Sequence, residues 1–281
     1  MRRVDLHIHT SASDSSVKPQ AVVELADEDG LAAIAITDHD TVDGYKKAES
    51  AANGRSIKVI PGIELSTKFY GSVHILGYFI DVDNPELKTE LKNIIDDRDI
   101  RNEKIIQLMR NSGINISYED MKDRFGSVIG RPHFGKIVVE NGLAESVTEA
   151  FDNYLSKEKP FWVPRKTIPM ERCIELIRNA GGIAVLAHPF EYTYEVKTIA
   201  DLIEFGIKYG VRGIECRHSS HTPGQMAYLE RLAEDYDLLK TGGSDFHGSI
   251  KPTISLGTGK GILVVPYKWY EELEKERDRT T

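Results

Sequence analysis

Short apolar runs alternate with longer segments of helical periodicity along most of the chain. The run from Leu31 to Ile36 is entirely apolar, and a helical segment from about Val42 to Ala52 follows it after a few polar residues. An apolar run of this length is typical of a parallel strand that is buried on both faces. The repeated order of strand, polar strand end and helix predicts an α/β fold with a parallel sheet.

The first strand has an alternating pattern that brings two histidines to one face. His7 and His9 are two residues apart, so on an extended strand they project to the same side, while Leu6 and Ile8 point into a core. Two imidazoles at a strand end form a bidentate clip for a metal ion. Asp14, in the polar turn that follows, offers an oxygen ligand.

The strand–helix rhythm changes after a third predicted strand at 57–60. The segments 63–69 and 73–80 flank Tyr70-Gly71-Ser72, which predicts a hairpin with a glycine turn.

A block of predicted helices, 85–165, interrupts the barrel rhythm. Its helical segments are Leu87 to Met109, Tyr118 to Phe125, Arg131 to the stop at Asn141-Gly142, and Ser146 to Leu155. No Ser/Gly-rich linker bounds the block, so we interpret it as a helical cap subdomain inserted into a barrel domain formed by 1–84 and 166–281. About seven strand–helix units remain, and a (βα) barrel places its chemistry at the C-terminal ends of its strands.

Composition narrows the class of protein. The 281 residues are 40% hydrophobic and carry a formal net charge of −8, so we expect no extended DNA-binding surface. Two cysteines, Cys173 and Cys216, lie far apart in sequence, which favours a reducing compartment. The N-terminus has no signal-peptide pattern and no long apolar stretch follows, so we expect a cytoplasmic protein without a membrane partner.

Nine residues able to ligate metal ions fall at the predicted strand ends. They are His7, His9, Asp14, His39, Glu64, His74, His188, Asp245 and His247. A single strand-end histidine is more often a surface or hydrogen-bonded residue, but six histidines and three carboxylates at one barrel edge are poorly explained by chance. The sequence therefore predicts a metal centre.

The types of ligand limit the metal and the chemistry. Imidazole and carboxylate without thiolate suit Mn, Fe or Zn, and nine ligands are enough for two to three divalent ions. Clustered divalent ions are commonly used for phosphate ester hydrolysis. Three such ions and three carboxylates would leave a positive site, which favours a small phosphorylated substrate.

Five motifs in the same order resemble the PHP (polymerase and histidinol phosphatase) family of metal-dependent phosphoesterases. They are Asp5-Leu6-His7-Ile8-His9-Thr10, Thr37-Asp38-His39-Asp40, Gly62-Ile63-Glu64, Ala187-His188-Pro189 and Gly243-Ser244-Asp245-Phe246-His247. The resemblance implies a distorted (βα)7 TIM-like barrel with a trinuclear metal site. It also implies how the ligands divide: His7, His9, Glu64 and Asp245 for the first ion, a bridging Glu64 with His74 and His188 for the second, and Asp14, His39 and His247 for the third.

The inserted block resembles the branch of this family that removes the 3′-phosphate of nucleoside 3′,5′-bisphosphates, some members of which trim short RNA from the 5′ end. In that branch an arginine in a motif like Gly130-Arg131-Pro132-His133-Phe134 contacts substrate phosphate. The resemblance therefore implies a nucleotide substrate, with Arg131, His133 and His221 in contact with it. It also implies that His188 and Asp245 serve catalysis by a metal-activated hydroxide.

Several roles stay open at the level of sequence. Asp38 is either a general acid or a partner that orients a ligand, and Asp5 is expected to orient an imidazole. His133 caps its helix or binds substrate, and we expect His218 to face solvent. The charged run from 86 to 110 is expected to be a solvated helix face, with Arg98 and Arg101 facing the pocket as the alternative.

Two other functions remain compatible with the motifs. One is a phosphatase for a non-nucleotide monoester such as histidinol phosphate. The other is a non-catalytic metal-binding module, although every ligand position that matches the family is filled.

Overall fold

A computed structural model describes residues 2–67, 69, 73–126, 128–192 and 196–280. The predicted turn at Tyr70-Gly71-Ser72 lies outside the described residues. The strands are β1 (Arg3–Ile8), β2 (Leu31–Ile36), β3 (Lys58–Ser66), β4 (His74–Tyr78), β5 (Ile183–Leu186), β6 (Gly213–His218), β7 (Leu239–Gly243) and β8 (Val265–Pro266). The helices are α1 (Pro19–Glu28), α2 (Tyr45–Ala51), α3 (Pro85–Asn111), α4 (Tyr118–Phe125), α5 (Arg131–Glu140), α6 (Val147–Ala150), α7 (Met170–Asn179), α8 (Val196–Tyr209), α9 (Pro223–Asp235) and α10 (Tyr267–Thr280).

The strands β1 to β7 form a nearly closed barrel. The sheet order is β7-β6-β5-β4-β3-β2-β1-β8, and β4 lies antiparallel between β3 and β5. The remaining pairs from β1 to β3 and from β5 to β7 are parallel. Backbone hydrogen bonds from Asp245 N to His7 O (2.9 Å) and from His9 N to Phe246 O (3.1 Å) join the end of β7 to β1. The predicted α/β barrel is confirmed.

The third strand differs from its prediction. The predicted strand at 57–60 and the first arm of the hairpin are one strand, β3, of nine residues. β3 pairs with β2 as far as Pro61 and then with β4 from Gly62 onward. Pro61 interrupts the sequence pattern because proline is rare within strands, and here it lies where β3 exchanges one partner for the other.

Two hydrophobic clusters lie under one long helix. Leu87, Leu91 and Ile94 of α3 belong to the barrel cluster, whereas Ile105, Ile106 and Met109 belong to a second cluster with α4 and α5. α3 therefore runs from the barrel cluster into the helical block 85–165. That this block is an inserted subdomain with these boundaries stays a prediction. Within the described ranges, no helix is both long and apolar enough to cross a membrane.

A single methyl group added at Gly243, where β7 meets β1, should destabilise the closed barrel. A Cβ on Gly243 would lie 2.3 Å from the backbone nitrogen of His7, so Gly243→Ala must force β7 away from β1. We expect a loss of about 3 kcal/mol in the free energy of unfolding, measured by urea titration. The control is Gly224→Ala in α9, where no atom lies within 4 Å of the added Cβ. Equal stability of the two variants would contradict this account of the closure.

Candidate metal centre

The barrel brings all nine predicted ligands to one edge. The parallel strands deliver theirs at their C-terminal ends, and the antiparallel β4 delivers His74 from its first residue. Overlapping groups of three or four of these residues have ligand atoms within 4.8 Å of one another. The groups include His9, Asp14, His39 and His247; His7, His9 and Asp245; His7, Glu64 and His188; and His39, Glu64 and His74.

Glu64 lies at the middle of the cluster and is buried. Its Oε1 is 2.7 Å from His74 Nδ1 and 2.9 Å from His188 Nε2. Its Oε2 is 3.0 Å from His39 Nδ1 and 3.2 Å from His9 Nε2. Each oxygen therefore faces imidazoles from different strands, which is the arrangement of a carboxylate that is able to bridge two cations.

Asp245 and Asp14 face the two flanks of this cluster. Asp245 Oδ1 is 3.3 Å from His9 Nε2, which in turn lies 3.1 Å from His7 Nε2. Asp14 Oδ1 is 3.3 Å from His247 Nε2 and 3.4 Å from His9 Nδ1. His9 thus contacts both flanks through its two ring nitrogens.

The donor set fits metal ions better than it fits hydrogen bonds. Two nitrogens at about 2.0–2.1 Å from one zinc-sized ion are separated by roughly 2.9–3.4 Å. The ring nitrogens and carboxylate oxygens lie at such separations, yet His39 Nδ1 makes no hydrogen bond although Glu64 Oε2 is 3.0 Å away. The buried nitrogens His9 Nδ1 and His188 Nδ1 also lack hydrogen-bond partners.

The electrostatics of the cluster favour cations. Burial alone would raise the pKa of Glu64 and of Asp14, but the surrounding histidines hold both well below the usual value. Burial would lower the pKa of His7, but Glu215 and Glu64 raise it well above the usual value. Burial lowers the pKa of His39 to about 3, despite Glu64 and Asp14. A metal ion and a proton would therefore compete for His7.

Glu215 is a site residue that the sequence reasoning missed. It is fully buried, its Oε1 lies 2.9 Å from His7 Nδ1, and its Oε2 accepts a hydrogen bond of 2.9 Å from the backbone nitrogen of His188. Burial would raise the pKa of Glu215, but His7 and then His218 lower it to about 2. An ionised Glu215 fixes His7 Nδ1 as the donor and directs His7 Nε2 to the centre. The available signal was a glutamate within β6, a strand of the barrel sheet.

Asp38 and Asp5 hold backbone segments. The Asp38 carboxylate accepts hydrogen bonds from Thr10 N (2.7 Å), Thr10 Oγ1 (2.7 Å) and Ser13 Oγ (2.6 Å). These contacts favour a positioning role over the alternative of a general acid, which stays a prediction. Asp5 accepts hydrogen bonds from the backbone nitrogens of Ser244 and Gly257, and among the described residues it makes no hydrogen bond to an imidazole, contrary to expectation.

The inserted block brings buried arginines to the site. Arg98 and Arg101 are 6% and 5% exposed, so the expectation of a solvated face for this part of α3 was wrong. Arg98 and Arg165 both donate to the Asp40 carboxylate, and Arg165 Nη1 also donates to Ser66 Oγ at 2.9 Å. Asp40, directly after His39, therefore ties both ends of the block to the barrel.

Two further arginines in this region lack an acidic partner. Among the described residues, no carboxylate lies within ion-pair distance of Arg101 or Arg131. Burial, together with the neighbouring charges of Arg98, Arg165 and Arg131, lowers the pKa of Arg101 to about 9. Of the four guanidinium groups in this region, only those of Arg98 and Arg165 pair with a carboxylate of the described residues, that of Asp40. We call Arg98, Arg101, Arg131 and Arg165 the arginine cluster.

The start of α5 lies against the metal-ligand cluster. A Cβ on Gly130 would lie 3.8 Å from the Cβ of Asp14. His133 accepts a hydrogen bond of 3.1 Å from the backbone nitrogen of Gly130 and stacks on Phe125, so it caps the helix. Burial lowers the pKa of His133 to about 4. Its predicted contact with substrate stays a prediction.

The last residue of β6 and the loop after it place two more buried histidines near the centre. The expectation that His218 faces solvent was wrong, because it is 1% exposed and its Nε2 lies 3.4 Å from Asp245 Oδ2. His221 is buried beside it and contacts the carbonyl oxygen of Cys216 through Nδ1. Substrate contact by His221 stays a prediction.

Comparison with known proteins identifies a family model, two sequence relatives and a similar solved structure. The family model described as "PHP domain" matches residues 5–159. A 5′-3′ exoribonuclease of Haemophilus influenzae is 33% identical over 88% of this chain and 90% of its own length. A 3′,5′-nucleoside bisphosphate phosphatase of Chromobacterium violaceum is 32% identical over 98% of this chain and 97% of its own length. A solved structure of a candidate metal-dependent phosphoesterase from Bifidobacterium adolescentis superimposes with a TM-score of 0.85 at 28% identity, over 97% of this chain and 95% of that chain.

A barrel with a cluster of histidines and carboxylates at the C-terminal ends of its strands defines a metal-dependent hydrolase. The chain belongs to the PHP domain family, and it is a metal-dependent phosphoesterase that hydrolyses phosphoric esters.

The ion pairs of Asp40 with Arg98 and Arg165 should make the unfolding free energy of the metal-free protein depend on pH in the acid range. Burial would raise the Asp40 pKa, but Arg165 and Arg98 lower it from 3.8 to about 2. A lowered pKa contributes stability above the unfolded value that is lost as the pH falls from about 4 towards 2. We expect Asp40→Asn to lose about 2 kcal/mol at neutral pH and the difference from wild type to shrink below about pH 4, measured by urea unfolding.

Asp83→Asn is the matched control for this measurement. The pKa of Asp83 is also lowered to about 2, by Lys46 and Lys88, but its ion pairs are exposed. Solvent screening should leave this variant close to wild type. An Asp40→Asn deficit that is independent of pH would contradict the ionic role of Asp40.

Proposed function

We propose that the protein removes the 3′-phosphate of nucleoside 3′,5′-bisphosphates and also cleaves short RNA from the 5′ end. The observation that carries the proposal is the arginine cluster beside the metal-ligand cluster. A substrate with one phosphate needs only one anion site, whereas this chain offers two. The names of the Haemophilus and Chromobacterium relatives support the same pair of substrates.

We infer that the nine predicted ligands hold two to three divalent ions of Mn, Fe or Zn. His7, His9, Glu64 and Asp245 would hold one ion, Glu64, His74 and His188 a second, and Asp14, His39 and His247 a third. The donor types support this assignment, since imidazole with carboxylate suits these metals. Bound there, the ions would polarise the phosphoryl group and lower the pKa of water.

The remaining side chains bind and orient. Arg131 and Arg101 hold the second phosphate of the substrate through charge-assisted hydrogen bonds, because neither has an acidic partner among the described residues. Arg98 and Arg165 hold the cap over the barrel through Asp40. Glu215 keeps His7 in one tautomer, and Asp38 keeps the loop with Asp14 in place.

One geometry serves both proposed substrates. In a nucleoside 3′,5′-bisphosphate, the 5′-phosphate and the reacting 3′-phosphate belong to the same nucleoside. In an RNA with a 5′-phosphate, the terminal phosphate and the first phosphodiester have the same relation. An enzyme that holds the 5′-phosphate at the arginine cluster would present the 3′-phosphorus of either molecule to the metal centre.

The other candidates fit less well. Histidinol phosphate carries an ammonium group, which the arginine cluster would repel. A non-catalytic metal-binding module has no need of the buried Arg101 and the partly buried Arg131 without acidic partners, since burying an unpaired charge destabilises the fold.

Removal of metal ligands should abolish turnover and reduce the metal content. We expect His188→Ala and Asp245→Ala each to lower phosphate release by at least about 1,000-fold, because the reacting water and the phosphoryl oxygens lose their metal contacts. Metal per chain, measured by elemental analysis, should fall while the circular dichroism spectrum is retained. Full activity of either variant would remove it from the proposed ligand set.

The arginine cluster should determine the preference for a second phosphate. We expect Arg131→Ala to lower kcat/KM for a nucleoside 3′,5′-bisphosphate by about 10- to 100-fold relative to a nucleoside 3′-monophosphate, the loss expected for a charged hydrogen bond. Arg101→Met should act in the same direction. Because Arg101 is buried without an acidic partner, this variant should be as stable as wild type or more stable.

Lys92→Ala is the control, since Lys92 is an exposed α3 cation paired with Asp96. It should leave the substrate ratio unchanged. An unchanged ratio in both arginine variants would refute the proposed second phosphate site.

A further inference from the structure

The last residue of β6, His218, has a buried imidazole beside the metal-ligand cluster, and one of its ring nitrogens has no hydrogen-bond partner among the described residues. His218 Nε2 lies 3.4 Å from Asp245 Oδ2 but makes no hydrogen bond. The His218 ring is 5.7 Å from the His7 ring and 5.0 Å from the His188 ring, measured between centroids. His218 therefore faces the same centre as the predicted metal ligands.

Ser220 fixes the tautomer of His218. The backbone nitrogen of Ser220 donates a hydrogen bond of 3.1 Å to His218 Nδ1, and Ser220 Oγ lies 2.7 Å from the same atom. A backbone N–H group can only donate, so Nδ1 must carry the lone pair. The proton of the neutral ring is then on Nε2, the nitrogen that points to the centre.

This tautomer makes His218 unlike its neighbour His7 in its ability to bind a metal ion. His218, His7 and Glu215 have potential ligand atoms close enough together to hold an ion. However, a ring nitrogen that carries a proton has no lone pair for a metal. At His7 the arrangement is reversed, because Glu215 accepts from Nδ1 and leaves Nε2 free to bind.

The acceptor nearest to His218 Nε2, the Asp245 carboxylate, already has other partners. Asp245 Oδ2 forms an ion pair with Lys251, and Asp245 Oδ1 faces His9 Nε2 at 3.3 Å. A buried N–H without a partner costs about 1–3 kcal/mol, which a ligand oxygen at this position would recover. Lys251 neutralises Asp245 beside this position, so the neighbouring carboxylate does not exclude an anionic ligand oxygen.

We propose that His218 donates a hydrogen bond from Nε2 to a phosphoryl oxygen of the ester under hydrolysis, and that it is not a tenth metal ligand. The location of the reacting phosphate at the metal-ligand cluster rests on the proposed function. His218 keeps its proton throughout, so no proton transfer is assigned to it. A preorganised donor of this kind stabilises the negative charge that develops on the phosphoryl oxygens.

Two substitutions of His218 separate a donor at Nε2 from a general polar role. The amide nitrogen of His218→Gln reaches the position of Nε2, whereas that of His218→Asn reaches only the position of Nδ1. With p-nitrophenyl phosphate as substrate, we expect kcat to fall by about 100-fold in the Asn variant and to recover at least about tenfold in the Gln variant. Metal per chain, from elemental analysis, should equal that of wild type in both.

Inorganic phosphate provides a binding probe that does not need turnover. Its affinity for the zinc-loaded protein, measured by calorimetry, should weaken by about tenfold in the Asn variant and not in the Gln variant. A loss of one metal equivalent in both variants would instead make His218 a ligand. A fall in kcat of less than about tenfold in the Asn variant, or equal losses in both variants, would overturn the donor role.

Long-range ¹H–¹⁵N correlation spectra of the zinc-loaded wild type test the tautomer directly, with the His218→Gln spectrum for assignment. A proton on Nε2 supports the proposal, and a proton on Nδ1 or a metal-bound Nε2 overturns it. Failure of the nucleotide proposal is a separate outcome. It would appear as equal turnover of bisphosphates and simple monoesters by wild type, with the effects of His218 unchanged.

Discussion

The buried carboxylate of Glu64 is the constraint on which the rest of the site depends. Imidazoles from four other strands or strand ends lie within 3.4 Å of its two oxygens. Burial on this scale would protonate an isolated carboxyl, and only the surrounding histidines keep its pKa low. Gly243 closes the barrel wall in direct contact with His7, so β1, which carries His7 and His9, has no room to move towards β7. The fold therefore holds a concentrated set of ligands that cations stabilise.

Asp40 connects the helical block 85–165 to the barrel, much as Glu64 connects the strand ends of the barrel to one another. It is one fully buried carboxylate shared between two guanidinium groups, one from α3 and one from the segment that leads back to the barrel. It directly follows His39, so the anchor of the cap and a predicted metal ligand lie on adjacent residues. Movement of the cap relative to the barrel would have to break these ion pairs in a buried place, which is costly.

The sequence predicts the barrel and the nine clustered residues well because both follow from local patterns. Apolar runs define the strands, and the strand ends are visible as polar residues after them. Sequence reasoning did not predict the contacts of Glu215, Arg98 and His218, because these contacts join distant segments of the chain. Glu215 interacts with His7 across 208 residues, and Arg98 with Asp40 across 58. The tautomer of His218 depends on one backbone hydrogen bond, which leaves no trace in the residue types.

The arrangement of charge explains why the site is costly to fold and effective when occupied. On the barrel side, the clustered carboxylates and histidines are able to bind cations. On the cap side, Arg101 and Arg131 lack acidic partners among the described residues, and on the β6 side the Nε2 of His218 has no hydrogen bond. Each of these groups is a buried or partly buried polar group whose desolvation is not compensated within the protein. Under the proposed function, a doubly phosphorylated ester and its metal ions would supply the missing charge on all three sides, so the groups that reduce the stability of the unliganded protein would provide its affinity for that ligand.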